Sequence, residues 1–96
     1  MDGLAALAVF FNKASKDARI GIAHIGLFVT LLQLLSEQDS EGPLVTYSGT
    51  VMQVAKISSS ATYHKLMREL DAYGYIKYNP SYYKGRGSCI YLSPSQ

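Results

Sequence analysis

The amino-acid sequence predicts an α+β, mainly helical domain, and three observations lead there. Apolar residues recur at three- and four-residue spacing through most of the chain, the mark of helices with one face in a core. Three short runs, "LVTY", "YGYIKY" and "SCIYL", are β-branched or tyrosine-rich and suit strands. Clusters of Ser, Asp, Gly and Pro separate these segments, and "NPSYYKGRGS" carries the turn residues of a long hairpin loop, Pro80, Gly85 and Gly87. With 96 residues, 48% apolar and 17% charged, the chain fits one domain with its own core.

Each element has a local reason. Leu4, Leu7, Ala8, Phe11 and Ala14 form one helical stripe, with Asp2 available as an N-cap; Val9 and Phe10 widen the apolar surface, so this helix enters the core or meets a second chain. After "SKDARIG", the segment from about Ala23 to Glu37 reads as the central helix, with Ile25, Phe28, Leu31, Leu32 and Leu35 inward. Gly26 suggests a close helix crossing there, and His24 a cap or surface residue. "SEQDSEGP" breaks the helix, "LVTY" gives a strand, and Ser48 or Thr50 then caps a short helix with Val51, Val54 and Ala55 inward. "KISSS" makes a turn and an N-cap. Ala61 to Tyr73 follows as a helix with Tyr63, Leu66, Met67, Leu70 and Tyr73 inward, and Gly74 ends it in the C′ position. "YGYIKY" and "SCIYL" make the hairpin, and "SPSQ" is a tail.

Composition excludes several classes. "LAALAVFF", Leu4 to Phe11, is less than half a membrane crossing, and Asp2 stands where a signal peptide would be positive, so a cytoplasmic protein with no membrane partner is expected. Cys89 is alone and reads as a small buried hydrophobe; with only His24 and His64 there is no ligand set for a structural metal, and no cofactor is called for. Phosphate-binding loops, dinucleotide fingerprints, nucleophile elbows and paired carboxylates are missing, which argues against an enzyme. The net charge of +2 is unevenly spread. Through Met52 five acids outnumber three bases, whereas from Gln53 onward Lys56, Lys65, Arg68, Lys77, Lys84 and Arg86 face only Glu69 and Asp71. A polyanion would meet the C-terminal half.

The order helix, helix, short strand, helix, turn, helix, strand, loop, strand is that of a winged helix-turn-helix: a three-helix core plus a β-hairpin wing, here with an extra N-terminal helix. Residues 1–18 would form that helix, a possible dimerisation element, and 19–96 the binding domain. "VMQVAKISSSATYHKLMRELDAYGYIKY" resembles the helix-turn-helix and wing entry of MarR-type regulators. From His24 to Leu92 the chain is also similar to small bacterial winged-helix proteins associated with mobile elements, through "KISSSATYHKLMREL", "GYIKYNPSYYKGRGS" and the closing "YL".

The resemblance implies binding of double-stranded DNA, as a homodimer, in transcription regulation or in replication or transfer of a mobile element. The residues themselves are compatible with it. With the apolar stripe inward, Ser60, Ala61, His64, Lys65 and Arg68 project outward; Ser59 and Ser60 at the helix start suit a phosphate, Thr62, Lys65 and His64 a base edge or backbone, and Arg68 a phosphate. In the loop, Lys84 and Arg86 alternate with Gly85 and Gly87, which would let the backbone approach a groove, and Tyr82 and Tyr83 can hydrogen-bond phosphates or stack on bases. Two plainer readings compete: a solvated helix face in which Arg68 pairs with Glu69 or Asp71, and a protein–protein module on the same scaffold. A small-molecule effector is not excluded, although no polar cluster defines one.

Overall fold

The structure, a computed structural model, describes residues 3–39, 42–81 and 85–92. Along the chain run α1 (Gly3–Ala14), α2 (Ile22–Glu37), β1 (Leu44–Thr46), α3 (Ser48–Ala55), α4 (Ser60–Ala72), β2 (Lys77–Asn79) and β3 (Ser88–Tyr91). The strands make one antiparallel sheet in the order β1-β3-β2. The α+β, mainly helical class and the order of elements agree with the sequence reading. No helix among the described residues is long and apolar enough to cross a membrane.

Phe28 of α2 sits at the centre of the core. Its ring stacks on Phe10 of α1 with centroids 4.1 Å apart, and Phe10 meets Tyr75 edge-on at 5.2 Å. Leu27 and Leu31 of α2, Val51 of α3, and Tyr63, Met67 and Leu70 of α4 close around them with Ile76 and Ile90, each 1% exposed or less. Each such side chain contributes about 1.5–3 kcal/mol from burial. The inner face of the sheet joins this core through Leu44 opposite Ile90 and Tyr78 on the other side of Ile90.

Several local expectations are corrected. In α1 the inward stripe is Leu7, Phe10 and Ala14, while Leu4 is 78% exposed and Phe11 40%; a helix apolar on most sides gives periodicity little to choose by. Leu27 belongs to the core of α2, and Val54 of α3 faces solvent. Ser48 is the first residue of α3, and the N-cap is Tyr47, whose side chain makes no capping bond. β2 begins at Lys77, because Gly74, Tyr75 and Ile76 complete the end of α4. Cys89 is half-buried. Asp2, expected as a cap, lies outside the described residues.

The ends of α4 are closed by hydrogen bonds of the chain itself. The Ser59 hydroxyl accepts from the Thr62 amide at 3.2 Å. At the other end Gly74, with φ +87°, allows the Tyr75 amide to reach Leu70 O and its own amide to reach Asp71 O. The Lys13 ammonium of α1 donates to Tyr73 O at 3.0 Å, placing a cation at the negative end of the helix. Beside it Asp17 takes a forked pair from Arg19, with Nε at 2.9 Å, and accepts the Tyr75 hydroxyl at 2.8 Å. The Arg19 guanidinium holds the Asp17 carboxyl well below its ordinary value of 3.8. Burial, with Asp17 beside it, pushes the Tyr75 phenol up to about 12.

His24 is a cap, as expected, but a buried one. The Gly21 amide donates to Nδ1 at 3.0 Å, so the ring proton sits on Nε2, which donates to Glu69 Oε1 at 2.8 Å. Gln38 covers the outer edge of β1: Val45 N–H donates to its Oε1 and its Nε2 donates to Pro43 O, both at 2.9 Å.

The glycines separate by what surrounds them. A Cβ at Gly26 would meet nothing within 4 Å, so the expected close crossing is absent; a Cβ at Gly87 would lie 3.0 Å from Thr46 O and Val45 Cγ1. Gly87→Ala therefore lowers stability by about 1–3 kcal/mol, whereas Gly26→Ala raises it by up to about 1 kcal/mol, both read from urea midpoints. Because the Asp17 value is depressed in the folded state, its stabilisation is complete above the ordinary carboxylate value and is lost as pH falls through the folded one. Urea midpoints between about pH 5 and about pH 2 should fall less steeply for Asp17→Asn than for the unmodified chain.

Candidate nucleic-acid interface

Burying Tyr63, Leu66, Met67 and Leu70 fixes which way α4 faces outward. Ser60, Thr62, Lys65 and Arg68 are exposed, and His64 is half-buried between the two sides. Arg68 makes no ion pair among the described residues; Glu69, a partner the plainer reading gave it, pairs with His24 instead. The Ser59 hydroxyl oxygen accepts from Thr62 N–H and keeps its own hydrogen to donate, beside the Ser60 and Ala61 amides.

α3 and α4 are joined by a tight turn. Lys56 takes the left-handed conformation, φ 62° and ψ 37°, and the Ile57 amide returns to Met52 O at 2.9 Å. The turn sets the start of α4 beside the end of α3. On the other side the hairpin is tied to the end of β1, where the Tyr47 hydroxyl donates to Gly85 O at 3.0 Å. Gly85, with φ +81°, makes the turn. Gly87 is buried against β1 and is spent on packing within the chain, which corrects the expectation that both glycines open the backbone to a ligand.

Between α4 and the hairpin runs a groove of about 550 Å³. His64, Arg68 and Asp71 line it from α4, at successive turns of one face; Tyr47 and Ser48 line it from the start of α3, and Tyr78, Ser81, Arg86 and Ser88 from the hairpin. Of the residues expected to bind, His64, Arg68 and Arg86 are thus brought to one place. Ser59, Ser60, Thr62 and Lys65 extend the exposed face of α4 outside the groove lining. Tyr82, Tyr83 and Lys84 lie outside the described residues.

Sequence reasoning missed Tyr47, Asp71 and Tyr78. The 64, 68, 71 spacing marks a single helical face, and alternation from Ile76 places Tyr78 on the inner side of its strand, so signals for those two existed. Nothing local marks Tyr47, whose place depends on where the hairpin folds.

Among the described residues no cluster of His, Cys, Asp and Glu could hold a metal ion. Comparison with family models, curated proteins and solved structures returns no match for the chain. The functional reading therefore rests on the chemistry of the groove and of the face beside it.

If the Tyr47 hydroxyl fixes the hairpin relative to α4, Tyr47→Phe should cost about 0.5–1.5 kcal/mol. Amide exchange at Gly85, Arg86 and Gly87 should accelerate while exchange within α2 is unchanged.

Proposed function

We propose that the chain is a winged helix-turn-helix protein that binds double-stranded DNA, with α4 as its recognition helix and the β2–β3 hairpin as its wing. The order of elements, the tight α3–α4 turn and the hairpin beside α4 support that fold. One observation carries the function: Arg68 from α4 and Arg86 from the hairpin line a single groove, and the exposed Lys65 lies one turn from Arg68 on α4. Phosphate contacts at the groove would fix the register, leaving Thr62 and Lys65 for base edges.

The role would lie in transcription regulation, or in replication or transfer of a mobile element, with a homodimer reading two half-sites about one helical turn apart. Exposed Leu4 and Val9 of α1 and Ile22 and Val29 of α2 offer apolar surface for such pairing. The same residues favour the second reading, a protein–protein module on this scaffold that does not bind DNA.

Selection of bound sequences from a random duplex pool at two salt concentrations tests both. Enrichment of a palindrome supports the dimeric DNA-binding reading; no enrichment at low salt leaves the interaction module. Lys65→Ala and Arg68→Ala should each weaken binding and reduce the slope of log affinity against log salt by about one unit. If those two and Arg86→Ala together leave affinity intact, the assigned face is wrong.

A further inference from the structure

The groove is larger than a phosphate alone requires. Its volume of about 550 Å³ lies within the range of small-molecule sites, roughly 300–1,000 Å³. Its lining is mixed in a particular way: Arg68 and Arg86 from two elements, the aromatic rings of Tyr47 and Tyr78, one imidazole, and Asp71 as a carboxylate. Guanidiniums suit a phosphate, and aromatic rings suit the flat face of a base.

His64 adds a defined ring nitrogen. Its Nδ1 lies 2.9 Å from Ser60 O, a carbonyl that can only accept, so the hydrogen of the neutral ring is on Nδ1. Nε2 then carries a lone pair and has no partner among the described residues. A phosphate oxygen that carries no hydrogen can be met by Nε2 only when that nitrogen is protonated.

We propose that the groove seats one nucleotide unit, with its phosphate between Arg68 and Arg86, its base against the tyrosine rings, and a proton taken up at His64 Nε2 as the phosphate enters. The inference rests on the reading of α4 and the hairpin as a duplex-binding surface, the seated unit being a nucleotide turned out of the stack, and a free mononucleotide carries the same chemistry. The charged and titratable groups that line the groove with His64 are Arg68 and Asp71 on its own helix, Arg86 and Tyr78 on the hairpin and Tyr47 before α3, and the Tyr63 ring lies 5.0 Å from its own. Binding that consumes a proton there strengthens as pH falls from about 8 to about 6.

Amide NMR titrations with thymidine monophosphate, with inorganic phosphate and with a duplex selected as above, each at about pH 6 and about pH 8, test the seat. The mononucleotide should move the amides of Ser48, Arg68, Ser81 and Arg86 and bind several-fold more tightly at the lower pH. His64→Gln should remove that pH difference apart from the part that follows from ionisation of the nucleotide's own phosphate. Arg68→Ala with Arg86→Ala, both exposed positions, should weaken mononucleotide binding at least about tenfold with an unchanged circular dichroism spectrum. Unmoved groove amides, inorganic phosphate binding as tightly as the mononucleotide, or equal affinity at both pH values would overturn the proposal. Duplex binding that leaves the groove amides unmoved removes the seat and keeps the DNA-binding reading. A mononucleotide that fills the groove of a chain to which no duplex binds does the reverse.

Discussion

The ammonium of Lys13 on the carbonyl end of α4 ties the first helix to the helix that carries the candidate site. The Gly74 turn satisfies Leu70 O and Asp71 O, leaving Tyr73 O for a cation from the first helix. Lys13 lies 4.5 Å from the centre of the Tyr75 ring, and Arg19 lies 4.0 Å from that of Tyr73. With Asp17 accepting from Tyr75 and Glu69 from His24, the back of α4 is held by polar contacts as well as by the core. These contacts also occupy Lys13 and Arg19, two of the three bases in the N-terminal half. The cations left to meet a partner from α4 are those on its front.

How far this was legible in the sequence depended on how much contrast each segment carried. α4 alternates apolar and polar residues sharply, so the inward set Tyr63, Leu66, Met67 and Leu70 could be read directly. α1 is apolar on nearly every side, and only the stacking of Phe10 on Phe28 decides which stripe goes in. The pins behind α4 join residues about sixty apart, such as Lys13 and Tyr73, and no local pattern announces them. Gly85 and Gly87 look alike in "KGRGS", yet one is required by its φ and the other by the backbone of β1 a few ångströms away. His64, Arg68 and Arg86 were legible as basic or polar outward residues; that they share one groove depends on the pairing of β3 with β1, beside which the Tyr47 hydroxyl meets Gly85 O.

On the reading proposed, so few cations shift the burden from charge to geometry. Each phosphate contact adds affinity irrespective of sequence, and a surface with only a handful gains little from that source. Discrimination would have to come from the short polar side chains at the start of α4, held in register by the buried face one half-turn away. The rigidity of α4 is then part of the binding chemistry, since a contact to a base edge tolerates little displacement.

The amide of Gln38 has a consequence for the molecule in crowded solution. A sheet of three strands has two open sides, and each could template another chain. On the β1 side the Gln38 side chain already holds Val45 N–H and Pro43 O, so an incoming strand would have to displace both bonds. On the β2 side Pro80 follows directly after Asn79, and its ring nitrogen offers no donor to continue a ladder. Growth of the sheet from molecule to molecule is therefore hindered at each margin.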